Sequence, residues 1–343
     1  MITVEDDGAR MFLDMVEASM REGRRINREK VERLLSTKAM SFTLSAYENL
    51  LELSKDDVAS MLVNLSLEHP VSTDPVKLRF EEGFRSCCSL EAVARLRRGV
   101  DTTVAMGFGA AEGKALRYLP PGTVIESTVY LTVDAFNPGM VRGGDVGRSI
   151  LRGLDDINID HMAHEFHHAG FMNCLSRRPG MARLAVGADS TEGVAVQFIC
   201  HLVSEGLANH YCTPSMVQAG EHKPHKVNEK IRAYEQNLKE MLEEAWSLVR
   251  DCLDGGEPLK KYRERLMGII IDKESVLPKV HFLGEKIISV LEEDPEIRFE
   301  DIVDLCLHPE NLVRLYEDPA IRRGLPRLQD EYVLKLLRVM ADM

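Results

Sequence analysis

The chain has 343 residues, of which 44% are hydrophobic and 29% charged, a globular make-up with enough length for one large domain or two smaller ones. Its 43 basic and 55 acidic side chains leave a formal charge of −12, which argues against nucleic acid or an anionic membrane as the main partner. No run of about eighteen apolar residues occurs, so no spanning helix is expected.

The first residues, MITVEDDGARMF, are acidic and lack the basic and apolar regions of a secretory signal. Seven cysteines without a CxxC pair are expected to be reduced thiols, so a cytoplasmic location is expected and no zinc–cysteine cluster. Residues 1–100 read as consecutive helices. Met11, Phe12, Met15, Val16 and Met20 trace one apolar stripe, and Val31, Leu34 and Leu35 another. Tyr47, Leu50 and Leu51 begin a third, followed by Val58, Met61, Leu62 and Leu65. Breaks fall near Gly23, Ser41, Ser54 and between His69 and Pro75. This stretch carries no catalytic constellation and is expected to be a helical scaffold along one wall of a cleft.

The texture changes at Asp101, which suggests a division into residues 1–100 and 101–343. Glycines at 107, 109 and 113 precede the turn signal Tyr118–Gly122. Thr123–Val133, TVIESTVYLTV, is the strongest strand in the chain because it is rich in β-branched residues. The glycine-rich run Gly143–Gly147 lacks the lysine of a Walker A loop and the spacing of a dinucleotide loop, so phosphate binding is excluded. Strand and loop read either as a structural hairpin or as an open edge for an extended peptide.

Ile159–Leu175, IDHMAHEFHHAGFMNCL, holds His161, His164, His167 and His168, four of eleven histidines. Its helix is expected to start around Asp156–Asp160 and to end before Pro179-Gly180. Within it stands H-E-x-x-H, from His164 to His168. Residues four apart on a helix point the same way, so these two imidazoles can close on one zinc ion. Glu165 is rotated by roughly 100° from His164 and is placed as general base for the attacking water. Apolar neighbours such as Met162, Phe166 and Phe171 predict a buried helix, in which imidazoles need partners. His161 and His167 read as supporting or surface residues.

A catalytic zinc keeps three protein ligands and an open position. The next helix, about Ser190–Tyr211, offers Glu192 and Glu205, about 20 Å apart along a helix, so only one can reach the metal. Asp189-Ser190-Thr191-Glu192 reads as a capping box, which accounts for Glu192 without zinc. Glu205 follows Phe198 and Leu202 on the apolar stripe, where an unpaired carboxylate is costly. The small residues Gly206 and Ala208 would let this helix approach the motif helix closely, and Asn209 could support a ligating imidazole. His201 is a rival ligand and His210 a weaker one. Further helices are expected at Ile231–Leu253, Tyr262–Ile271, Val280–Leu291 and from Ile302 to Met340.

HEFHH followed by Ser204-Glu205-Gly206-Leu207-Ala208-Asn209 resembles a gluzincin metallopeptidase. The gap between motifs, 205 − 168 = 37 residues, is about twice that of the thermolysin-like pattern. The chain is more similar to bacterial families of zinc-dependent peptidases without assigned substrates, over about residues 115–320. That resemblance implies a mainly α (α+β) fold: a zincin-like core with an HExxH helix, a small β-sheet and surrounding helices. It also implies zinc on His164, His168 and Glu205. The families carry an aromatic-x-x-Gly that turns a tyrosine toward the metal, and His281 in Val280-His281-Phe282-Leu283-Gly284 stands at that place. It is a candidate oxyanion donor, with Tyr130, Tyr211, His222 and His225 as alternatives. The expected activity is zinc-dependent peptide-bond hydrolysis, with a peptide or protein as substrate. A non-peptide amide or ester hydrolase and a zinc-fold interaction protein without turnover stay open beside it.

Overall fold

A computed structural model describes the chain except residues 52, 67–69, 152–158, 179, 182–187, 222, 273–275 and 342–343, and the side chains of 49–51. The core positions expected for Leu50 and Leu51, the helix start at Asp156 and the candidate His222 lie outside the described residues. The described chain is mainly helical with one small four-stranded sheet. No described helix is long and apolar enough to cross a membrane. Two compact units divide it: Met1–Ala110 with Ile125–Glu165, and Ala111–Val124 with Phe166–Met343. The division falls inside the continuous helix Ile159–Leu175. It differs from a boundary at residue 100, because the strand region returns to the N-terminal residues.

The reason is a strand that the helical stripes conceal. Ile2–Glu5 (β1) pairs in parallel with Ser127–Thr132 (β2), from Ile2 against Ser127 to Glu5 against Tyr130. Four residues are too few to show a periodicity, so their β-branched Ile2, Thr3 and Val4 become a strand only when β2 is there to pair. The strand expected over Thr123–Val133 is present over six residues toward its C-terminal end. The glycine-rich run is not a loop alone. Gly139–Arg142 (β3) and Asp145–Ser149 (β4) form an antiparallel hairpin, turned by Gly143 and Gly144 at φ 59° and 89°. Two successive positive φ values suit a two-residue hairpin and favour glycine. The order β1-β2-β4-β3 leaves β3 at one edge.

Helices α1 (Asp7–Glu22), α2 (Arg28–Leu35), α3 (Lys38–Leu51), α4 (Lys55–Val63), α5 (Pro75–Arg85) and α6 (Leu90–Met106) complete this unit. Side chains accepting backbone N–H groups set several starts: Asn27 for α2, Ser54 in a capping box with Asp57 for α4, and Asp74 before Pro75 for α5. The core joins Phe12, Tyr47, Phe80, Phe84 and Phe136, with Phe80 stacked on Phe136 at 5.8 Å. Buried Asp134 accepts the Tyr47 hydroxyl at 2.7 Å and the backbone N–H of Phe136 at 2.7 Å, tying α3 to the end of β2.

Gly109–Leu116 (α7) and Ile159–Leu175 (α8) both cross the division. The second unit centres on Thr191–Leu207 (α9), in which Val194, Ala195, Val196, Phe198, Ile199, Leu202 and Val203 are all buried. A helix apolar on every side is a core helix. Around it lie His225–Gln236 (α10), Leu238–Asp254 (α11), Leu259–Ile270 (α12), Lys279–Glu292 (α13), Phe299–Val303 (α14), Asn311–Arg323 (α15) and Asp330–Ala341 (α16). The tightest crossing is α9 on α13, at Gly206 and Gly284. A Cβ on Gly284 would lie 2.6 Å from the Leu202 carbonyl oxygen and 2.7 Å from Gly206 N, both backbone atoms. The expected close approach of Gly206 is therefore to α13 and not to the motif helix. Gly284→Ala forces the two backbones apart, and we expect a loss of about 3 kcal/mol of stability, read as a lower urea midpoint at unchanged slope.

Candidate metal centre

Helix α8 presents His164 and His168 one turn apart, both with little exposure. Helix α9 brings Glu205 to them. One ligand atom from each of His164, His168 and Glu205 lies within 4.8 Å of the others, and among the described residues this is the one such group. His168 Nε2 is 3.5 Å from Glu205 Oε1. Two donors at about 2.1 Å around a tetrahedral centre are separated by nearly that distance. Two imidazoles and a carboxylate also form a donor set that suits zinc. The residues present therefore fit a zinc ion. His201, one turn before Glu205, and His210 are not in the set. Burial lowers the pKa of His201 and outweighs the attraction of Glu205, so its ring is neutral.

The side chains around the triad set how it is held. Ser204 Oγ is 2.7 Å from His168 Nδ1. With Nδ1–H donating to the serine oxygen, the Nε2 lone pair is the one turned to Glu205. Sequence reading missed Ser204, because its partner lies on another helix, and no spacing within α9 reveals which residue faces α8. Asn209 was expected beside a ligating imidazole, and the structure corrects this. Its Nδ2 donates to the Glu205 backbone oxygen at 2.8 Å and to Oε2 at 3.3 Å. His281 Nδ1 also reaches Glu205 Oε2, at 3.1 Å. Asn209 Nδ2 also donates to that Nδ1, at 3.2 Å, and an amide nitrogen has only donors, so the imidazole nitrogen is the acceptor. Burial lowers the pKa of His281 and favours the neutral ring, whose proton is then on Nε2.

Glu165 lies on the neighbouring face of α8 and is 6% exposed. It is outside the group of metal-capable atoms, as its rotation from His164 requires. His161, one turn before it, is half-buried, with Nδ1 3.8 Å from Glu165 Oε1. The other surplus histidine, His167, is fully buried, and its Nε2 is 3.0 Å from the Tyr118 carbonyl oxygen. That bond anchors α8 to the turn after α7. Ser190 caps α9 by accepting Gly193 N, while Glu192 accepts the Thr191 hydroxyl at 3.2 Å. Glu192 stands one position too early to close the expected capping box, and it is far from the metal group as foreseen.

Of the remaining candidates, Tyr130 packs on Phe42 at 5.2 Å and His225 is exposed beside Glu229. Tyr211 stacks on Tyr118 at 4.5 Å within a π-helical turn, Ala208–Cys212, that continues α9. Such turns recur at functional sites because they re-aim side chains. Here the turn points His210 at two carboxylates, Glu285 at 3.3 Å and Glu292 at 2.6 Å. Burial opposes the charge of His210, but the hydrogen bonds to Glu285 and Glu292 outweigh it and raise its pKa above 6.5. Burial likewise opposes the charge of Glu285, yet His210 and Lys286 bring its pKa below 4.5. The histidine contribution is full below pH 6.5 and fades as pH rises through its raised value. The carboxylate contribution is full above pH 4.5 and fades as pH falls through its lowered value. His210→Gln should therefore cost on the order of 1 kcal/mol, the gap in melting temperature being widest between pH 4.5 and 6.5 and closing at alkaline pH.

Neither a curated protein nor a solved structure matches the chain. One family model does, over residues 110–322, more than half of the chain and including both motifs. The chain therefore belongs to the family described as "Putative zinc dependent peptidase (DUF5700)".

Proposed function

We propose that this protein hydrolyses peptide bonds, with zinc held by His164, His168 and Glu205 and with Glu165 as general base. The observation that carries the reading is the meeting of those three side chains in a chain whose family is described as zinc dependent. When bound, zinc supplies a Lewis acid for the scissile carbonyl and lowers the pKa of water. Glu165 accepts the proton of the attacking water and returns it to the leaving amine.

Ser204 fixes the His168 tautomer, and Asn209 holds both the Glu205 carboxylate and the His281 ring. His281 keeps the part of candidate oxyanion donor suggested by the resemblance. With Nδ1 accepting from Asn209, the neutral ring carries its proton on Nε2 and offers a donor there. The test is turnover of a mixed library of fluorogenic peptides by the zinc-loaded protein, followed by chelation and zinc restoration. Cleavage that stops with chelator and returns with zinc is expected. A protein that binds zinc and cleaves nothing in the library overturns the reading in favour of an interaction protein.

A further inference from the structure

Gly139 opens β3, the edge strand, and its backbone does not need a glycine. It is not among the residues with positive φ, and it sits in regular antiparallel register opposite Arg148 of β4. What excludes a side chain is space. A Cβ at this position would lie 2.6 Å from Glu165 Oε1, 2.9 Å from Glu165 Cδ and 2.9 Å from His161 Cε1. The bare Cα of β3 thus forms one wall of a slot for the Glu165 carboxylate, and the His161 ring, beside both, forms another.

Arg148 holds the second wall in place. It is 5% exposed, and its Nη1 donates to the Pro138 carbonyl oxygen at 3.3 Å and to His161 Nδ1 at 3.2 Å. A guanidinium has only donors, so His161 Nδ1 is the acceptor and the neutral ring carries its proton on Nε2. At 3.8 Å that acceptor makes no hydrogen bond to the carboxylate. The ring therefore confines Glu165 by shape. Cross-strand partners Gly139 and Arg148 act on one face of α8, where His161 and Glu165 stand one turn apart.

We propose that Gly139 is a positioning residue for the general base, the absence of its Cβ seating the Glu165 carboxylate in the slot walled by His161. The inference rests on the reading of Glu165 as base. In Gly139→Ala the carboxylate must leave the slot while the strand register stays. We expect kcat to fall about 100-fold with KM within about 3-fold, as for a catalytic group displaced by roughly an ångström. Zinc content should equal that of the parent. Glu165→Asp shortens the side chain out of reach of the new Cβ, so Gly139→Ala combined with Glu165→Asp should be no slower than Glu165→Asp alone. A role in general stability would instead make the two losses multiply.

The readout independent of turnover is a crystal structure of zinc-loaded Gly139→Ala, in which the carboxylate is expected to be shifted by about 1 Å or more. A carboxylate unmoved in that structure overturns the proposal. So does full kcat in Gly139→Ala when Glu165→Gln has lost its turnover, a result that leaves the base assignment standing. Full turnover in Glu165→Gln removes that assignment, and the proposal falls with it.

Discussion

Replacing His164, His168 or Glu205 by alanine is expected to take the zinc content of the purified protein from one ion per chain to background. Each residue brings one atom to a group whose members lie within 4.8 Å of one another, and the described residues contain no second such group to take over. The loss should be graded by distance from the ion. Ser204→Ala leaves all three ligands but frees the His168 ring, and affinity should fall about 10–100-fold, the range for a residue that orients a ligand. The three ligand substitutions should each exceed that. Chelator-competition titration of metal affinity checks the order. An alanine at 205 that binds zinc as tightly as the parent would remove Glu205 from the site and return His201 to consideration. Because zinc binds the folded state, ligand loss should also lower the melting temperature in excess zinc toward that of the chelated parent.

Glu165→Gln is the second large effect, and it separates chemistry from metal binding. Glutamine keeps the size of the side chain and the fit against Gly139, but it cannot accept a proton at neutral pH. Removal of a general base costs about 10²–10⁴ in rate. The upper part of that range is expected here, about 4–5.5 kcal/mol on the barrier. Zinc content and melting temperature should match the parent, since Glu165 lies outside the ligand group. The comparison of kcat with metal stoichiometry in one preparation is decisive. Loss of both together would make Glu165 a structural residue of the metal centre, and retained turnover would assign the base to another group.

Much of this site is legible in the sequence because its main signals are local. His164, Glu165 and His168 are tied by helical geometry alone, whatever the rest of the chain does. Glu205 is less local, and it stood out as a carboxylate on the apolar stripe of a helix that proves to be the centre of its unit. The supporting side chains are different in kind. Ser204 on His168, Asn209 on His281 and Gly139 on Glu165 each join elements far apart in sequence, and periodicity within one element carries no information about which neighbour it will meet. Asn209 shows the limit well: its place one turn after Glu205 was readable, but its bonding to that carboxylate and to the His281 imidazole, not to a ligating one, depended on where α13 lies.

The same division holds for the fold. Mainly helical structure with a small sheet follows from long apolar stripes and one β-branched run. The parallel β1 strand and the Gly206–Gly284 crossing were hidden because both are pairings, created by a partner more than 70 residues away. The glycines of the β3–β4 hairpin illustrate two reasons for one residue type. Gly143 and Gly144 answer to backbone conformation, and Gly139 answers to the space taken by a neighbour's side chain.

The centre itself is tested most directly by anomalous diffraction at the zinc absorption edge from crystals of the zinc-loaded protein. A single peak is predicted, touching one nitrogen of His164, Nε2 of His168 and a carboxylate oxygen of Glu205. A peak held by other residues, or none at full zinc loading, would contradict the metal site from which the proposed chemistry is built.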